Sequence, residues 1–140
     1  MGKTIIILRH TEDIFGCLTA RGIKKAQEMG QKIKDLYPEA TFEVWTCPIR
    51  RAAETAKIIS DFIVTSGIFT SNAFSPTGEL SRQLAMINDF KSDYVLVITY
   101  ADMCRNMAKV YGKYQETITY CNGLLVNQDG SHFEYFKTEN

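Results

Sequence analysis

Two rhythms of hydrophobic positions succeed one another along the chain. Thr4 to Leu8 is a continuous, largely β-branched run, the mark of a strand covered on both faces as in a parallel sheet. After Thr19, a residue suited to an N-cap, apolar or small residues recur at Ile23, Ala26, Gly30, Ile33 and Tyr37 in steps of three and four, until Pro38 closes the segment. That spacing predicts an amphipathic helix. Glu43 to Thr46 predicts a second strand. Pro48 stands where a first-turn proline starts a helix whose one side carries Ile49, Ala52, Ala53, Ala56, Ile59 and Ile63. Ile68 to Phe74 reads as a strand or extended loop, followed by a turn at Ser75, Pro76, Thr77 and Gly78 and a helical pattern through Leu80, Leu84 and Ile87. Tyr94 to Thr99 is the next strongly hydrophobic run. Asp102 is placed to cap a helix carrying Met103, Met107 and Val110, with Gly112 ending it. Ile118 to Val126 and His132 to Phe136 flank a polar stretch with a glycine and read as an antiparallel hairpin.

Alternating strands and helices require right-handed crossovers, so the expected fold class is α/β: a three-layer sandwich with a mostly parallel central sheet and a C-terminal antiparallel hairpin. No linker or repeat divides the chain, and a single domain over 1–140 is expected. In such sheets ligands bind beyond the carboxyl ends of the strands, where loops and helix N-termini converge. Three loops qualify: the one after the first strand with Arg9, His10, Thr11 and Glu12, the one after the second with Cys47 to Arg51, and the one at Tyr100 to Asp102.

Composition narrows the chemistry. Sixteen basic residues balance sixteen acidic ones over 140 residues, so the chain lacks the basic excess that nucleic-acid binding normally needs. An anionic partner must then be held by a few local cations. The run before Arg9 is too short for a signal sequence or a membrane span, and a soluble, cytoplasmic protein is expected, with neither membrane nor nucleic acid as partner. Cys17, Cys47, Cys104 and Cys121 form no C-x-x-C pair, and His10 and His132 lie far apart, so reduced thiols are expected rather than a zinc site.

Arg9 and His10 put a cation and an imidazole side by side directly after a buried strand. Arg50 and Arg51 stand in the first turn of a helix, where the macrodipole favours acidic side chains, so cations there suggest an anion between them. Arg51, beside Ala52 on the buried edge, is the better ligand, and Arg50 reads as solvated. Guanidinium forks match phosphate oxygens, helix N–H groups add dipoles, and a neutral imidazole can attack phosphorus.

The sequence resembles the histidine phosphatase superfamily, the phosphoglycerate-mutase-like fold. The resemblance lies in Ile7-Leu8-Arg9-His10, in Leu18-Thr19-x-x-Gly22-x-x-x-Ala26 and in Thr46-x-x-Ile49-x-Arg51-Ala52-x-x-Thr55-Ala56. These motifs run in family order, span most of the first sixty residues and continue weakly to the C-terminus. In size it is similar to the short phosphohistidine phosphatases. The resemblance implies a two-step phosphoryl transfer, with His10 as the nucleophile that becomes phosphohistidine and with Arg9 and Arg51 clamping the non-bridging oxygens. It implies no cofactor and no metal, since the arginines supply the positive charge. The implied partner is a phosphate-bearing small molecule or a phosphoprotein. A carboxylate from mid-chain is the family's general acid, for which Glu79 is the candidate; an acidic residue in a first helical turn is the alternative reading of Glu79. Two positions depart from the family. Thr11 replaces the glycine after the histidine, where its hydroxyl can contact phosphate or its side chain can crowd the pocket. In Val97-Ile98-Thr99-Tyr100, Tyr100 takes the place of the second catalytic histidine. His132, in the terminal hairpin, reads as a surface residue.

Other phosphate chemistries do not fit. No cysteine is followed six residues later by arginine, as a cysteine-dependent phosphatase requires, and Gly2-Lys3-Thr4 lacks the rest of a P-loop. The competing expectation is a degenerate fold that captures phosphate or a phosphorylated protein through Arg9, His10 and Arg51 without turning it over. A sugar-phosphate mutase is disfavoured because the chain has no long insertion to roof the pocket.

Overall fold

The computed structural model describes residues 3–75, 78–111 and 117–138. Its elements run β1 (Thr4–Arg9), β2 (Asp13–Ile14), β3 (Cys17–Leu18), α1 (Ala20–Leu36), β4 (Thr41–Thr46), α2 (Arg50–Ser60), β5 (Val64–Thr70), a 3-10 turn (Asn72–Phe74), α3 (Leu80–Asp89), β6 (Tyr94–Thr99), α4 (Ala101–Val110), β7 (Gly123–Asn127) and β8 (Phe133–Phe136). Six strands form one sheet in the order β5-β4-β6-β1-β7-β8. The two uninterrupted hydrophobic runs become its central pair: β1 and β6 lie parallel in register from Thr4 opposite Tyr94 to Arg9 opposite Thr99. Ile5 to Leu8 and Val95 to Ile98 are buried, because helices cover both faces of the sheet. β4 and β5 continue the parallel part, and β7 and β8 add the antiparallel hairpin on the side of β1. Helices α1 and α2 pack together, as do α3 and α4, with α2 against β4 and β6 and α4 against β1 and β7. The α/β sandwich read from the sequence is therefore the observed architecture.

Several details differ from the sequence reading, each for a local reason. Thr19 does cap α1, accepting the Gly22 N–H, but Ile23 is turned outward while Gly22 and Met29 complete the buried stripe with Ala26, Gly30 and Ile33. Pro48 lies two residues ahead of α2, whose N-cap is Ile49, and Ala53 faces solvent. The edge strand β5 starts at Val64 and is over by Thr70, and Phe74 belongs to the 3-10 turn. Asp102 sits inside the first turn of α4, whose N-cap is Tyr100. Residues 118–122 are not part of the hairpin's first strand; β7 begins only at Gly123. Gly78 donates its N–H to the Ser75 carbonyl at 2.9 Å, consistent with the expected turn, whereas Pro76, Thr77 and Gly112 lie outside the described residues.

Between β1 and α1 the pattern of hydrophobic positions had indicated no element, yet β2 and β3 make a tight hairpin there. Its two loop residues, Phe15 (φ +52°) and Gly16 (φ +84°), both take the left-handed conformation that a type I′ turn demands. That conformation costs a non-glycine side chain about 1–2 kcal/mol, and the Phe15 ring, fully exposed, recovers none of it by packing. Phe15→Asn, which creates the favoured Asn-Gly turn, is expected to raise stability by about 0.5–1 kcal/mol. An upward shift of the urea midpoint at constant m-value checks this, and an unchanged or lower midpoint refutes it.

Candidate active site

The first loop is fastened on three sides before any side chain is considered. The Arg9 N–H donates to the Asn122 carbonyl (2.9 Å), the His10 N–H to the Thr99 carbonyl at the end of β6 (2.9 Å), and the Cys121 N–H to the His10 carbonyl (3.2 Å). Thr11 completes the clamp. Its N–H donates to Thr55 Oγ1 (3.1 Å) and its hydroxyl to the Gly22 carbonyl (2.7 Å), while the Thr55 hydroxyl donates to the Arg51 carbonyl (2.6 Å). Strand β1, helix α1 and the first turns of α2 are thus tied into one unit. Gly22 permits this approach, since a Cβ there would stand 2.2 Å from the Glu12 carbonyl oxygen.

His10 is 5% exposed. Its Nδ1 lies 2.9 Å from the Thr11 carbonyl, and because a carbonyl only accepts, Nδ1 carries the ring hydrogen. Nε2 is left with a lone pair and receives the Arg51 Nε–H at 3.2 Å. Burial is the main influence on the ring and lowers its pKa below the usual histidine value. Arg51 and Arg9 push in the same direction, and the Thr11 carbonyl and Asp13 oppose it. A neutral, singly oriented imidazole results at pH 7.

Around this ring is a cleft of about 570 Å³ lined by Arg9, His10, Asp13, Arg51, Tyr100 and Tyr120, with Phe15 and Gly16 of the hairpin and Ala101 and Asp102 of α4 at its borders. Arg9 donates through Nη1 to the Ile118 carbonyl (3.1 Å), and its guanidinium lies 4.1 Å from the centre of the Tyr120 ring. The Arg51 guanidinium lies 5.5 Å from the centre of the Tyr100 ring, which meets His10 edge-on at 6.0 Å. Burial, the first cause, raises the Tyr100 pKa above that of an ordinary phenol, so the side chain is a neutral hydrogen-bond donor. Asp13 sits with Oδ1 3.7 Å from His10 Nδ1 and 4.0 Å from Arg51 Nε, while its Oδ2 accepts the Gly16 N–H at 3.1 Å. Helices α2 and α4 begin at this cleft without a side-chain cap, leaving first-turn N–H donors for an anion.

Of the residues singled out from the sequence, Arg9, His10, Arg51 and Tyr100 meet in this cleft. Thr11 does not line it: the side chain is fully buried and its hydroxyl hydrogen is committed to Gly22, so it neither contacts nor crowds a guest. Glu79 is the exposed N-cap residue of α3, outside the cleft. Arg50 pairs with Glu54 on the surface at 2.8 Å, and His132 with Glu134 at 3.0 Å in the terminal hairpin. Asp102 lies in the third of the loops expected to border the site, whereas Asp13 and Tyr120 were not anticipated as cleft residues. Asp13 had a signal, a carboxylate three positions after His10, whereas nothing near Tyr120 in the sequence marks it. Among the described residues no group of three or more histidine, cysteine, aspartate or glutamate side chains is arranged to hold a metal ion. None of the described helices is long and apolar enough to cross a membrane.

No family model matches the chain, and no curated protein matches it by sequence. Solved structures do. The chain is similar to the protein histidine phosphatase SixA solved with tungstate, at 18% identity over 96% of this chain and 97% of that one, with a TM-score of 0.80. It is similar to a phosphoglycerate mutase from Plasmodium falciparum at 21% identity, over 96% and 89% of the two chains, with a TM-score of 0.69. It is also similar to Bacillus stearothermophilus YhfR at 15% identity, over 95% of each chain, with a TM-score of 0.71.

Proposed function

The chain has the fold of the histidine phosphatase superfamily, and on that frame we propose that it is a metal-independent phosphatase acting on protein phosphohistidine or small phosphomonoesters through a phosphohistidine intermediate on His10. The observation that carries this reading is the fixed tautomer of His10: Thr11 holds the Nδ1 hydrogen, and Nε2 presents its lone pair beside Arg51 in the cleft. A tetrahedral oxyanion, the kind of ligand tungstate is in the similar SixA structure, suits the space that Arg9, Arg51 and the two uncapped helix starts surround. Arg51 then turns its N–H from Nε2 to the anion, which frees the nucleophile as the substrate arrives.

In the first step the Nε2 lone pair bonds to phosphorus, the bond to the leaving atom breaks, and that atom keeps the electron pair. In the second, water bonds to phosphorus, the P–Nε2 bond breaks and its pair returns to the ring. The guanidinium groups supply the charge that a loose phosphoryl transition state needs. With Glu79 outside the cleft and Asp13 at the Nδ1 side of the ring, the carboxyl group at hand for the leaving atom is Asp102, already paired with Arg105. A phosphohistidine substrate needs no such donor, because its protonated imidazole leaves as a neutral group, and this favours phosphohistidine over alkyl esters.

A second reading, a phosphate- or phosphoprotein-binding module without turnover, is favoured by Tyr100, a neutral group where the superfamily has its second histidine. Both readings require the anion pocket. Phosphate or vanadate at about a hundred times its Kd is expected to stabilise the fold by about 2.7 kcal/mol, a rise of roughly 5–10 °C in Tm, and Arg51→Ala to remove that rise. A flat melting temperature across the titration sinks both.

A further inference from the structure

We propose that Asp13 is a positioning residue that serves as counter-ion to the His10 ring while His10 carries the phosphoryl group. The proposal rests on the phosphohistidine reading above and adds to it a carboxylate that reading does not use. Attack through Nε2 leaves the ring with phosphorus on one nitrogen and hydrogen on the other, hence with a positive charge that the resting imidazole lacks. Only a ring that keeps the Nδ1 hydrogen departs as neutral imidazole when water takes the phosphoryl group; a ring that has lost it must leave as imidazolate, a far poorer leaving group.

The structure builds the side of the ring away from the phosphate to hold that hydrogen and charge. The Thr11 carbonyl accepts the hydrogen at 2.9 Å, and the Asp13 carboxylate, 13% exposed, stands 3.7 Å from the same nitrogen. Asp13 is itself held, since its other oxygen accepts the Gly16 N–H at 3.1 Å across the tight hairpin. The charged and titratable groups lining the cleft with His10 are Arg9 from β1, Arg51 from α2, Tyr100 and Asp102 from the start of α4 and Tyr120 from the loop before β7, with the buried Cys47 after β4 behind Arg51 and Tyr100. Tyr100 is neutral near pH 7, burial holds Cys47 at about 11, and both arginines oppose a cationic ring. Asp13, by contrast, is the carboxylate paired with the ring. Its presence in a cleft built for an anion, where a carboxylate is otherwise unfavourable, is accounted for by that cation together with Arg51, whose Nε lies 4.0 Å from the same carboxylate oxygen.

The test is the pH dependence of phosphoenzyme breakdown. Protein phosphorylated with radiolabelled phosphoramidate is freed of reagent, and loss of label is followed across pH. Hydrolysis falls as the Nδ1 hydrogen titrates off. A neighbouring carboxylate stabilises the cation and raises that pKa, so removing the charge moves the falling limb to lower pH. Asp13→Asn keeps the acceptor for Gly16 and removes only the charge. It is expected to shift the limb down by about one pH unit and to lengthen the phosphoenzyme lifetime about tenfold on the alkaline side. Asp13→Glu is expected to return the limb to its original position. Superimposable profiles for the parent and Asp13→Asn overturn the proposal, as does a shifted limb in Asp13→Glu with an unchanged melting temperature. If the parent takes up no label on histidine, the phosphohistidine reading itself fails, an outcome distinct from either.

Discussion

His10→Ala is expected to reduce hydrolysis of an aryl phosphate by at least about a thousandfold, because it deletes the atom proposed to receive phosphorus and leaves only the pocket around it. The arginines remain and can still orient a phosphate, so phosphate-induced stabilisation should survive in the variant while turnover does not. That separation is what distinguishes a nucleophile from a ligand. The pH dependence of the parent supplies a second signature. Burial, Arg51 and Arg9 depress the His10 pKa, so the neutral, nucleophilic form persists below the usual histidine value. The acid limb of kcat/KM therefore lies below about 6.5. The same depression means that His10 favours the folded state when neutral, a contribution present above its unfolded pKa and lost as pH falls through the folded one. Equal rates in parent and His10→Ala, measured with the same preparation, remove His10 from the reaction.

Tyr100→His is expected to raise turnover of the same aryl phosphate by roughly ten- to a hundredfold. A hydrogen bond from a charged donor is worth about 1.5–3 kcal/mol, more than one from a neutral hydroxyl, and each 1.36 kcal/mol taken from the barrier is tenfold in rate. The position is suitable: Tyr100 is the N-cap residue of α4, lines the cleft and meets the His10 ring edge-on, so an imidazole built there enters the same space. Arg51 beside it disfavours a protonated ring in the empty site, and a bound phosphoryl group reverses that preference. The gain should therefore appear in kcat more than in KM. A Tyr100→His protein that binds phosphate with parental affinity yet hydrolyses nothing makes the binding module the correct reading.

The resemblance visible in the sequence was carried chiefly by motifs that end in α2 and only weakly beyond them, whereas the structural likeness extends over nearly the whole chain at 21% identity or less. The difference follows from what each part does. Arg9, His10, Gly22, Arg51 and Thr55 make contacts that few other side chains can make: a guanidinium N–H on an imidazole lone pair, a carbonyl approached to within a Cβ radius, a hydroxyl that accepts from Thr11 while donating to Arg51. The second half of the sheet asks only for buried, strand-forming side chains, which many sequences satisfy equally well. Thr11 illustrates the limit of reading a site by position. Adjacent to His10 in sequence, it points into the interior and acts as a fastener. Glu79 shows the same limit from the other side, an acidic residue at a helix start that the fold leaves outside the cleft.

From the sequence alone came the alternation of buried strands and amphipathic helices, the Thr19 cap, and the trio Arg9, His10 and Arg51 that lines one cleft at the carboxyl end of β1 and the start of α2. These are written in local periodicity and in residue types whose chemistry does not depend on distant neighbours. Only the tertiary structure decided the rest: which nitrogen of His10 carries hydrogen, that Asp13 stands behind the ring, and that Tyr120 and the Ile118 carbonyl hold Arg9 from a loop 109 residues further along the chain. Those facts depend on side-chain direction and on the meeting of segments remote in sequence, and they come into being only when the sheet closes and the interior is packed.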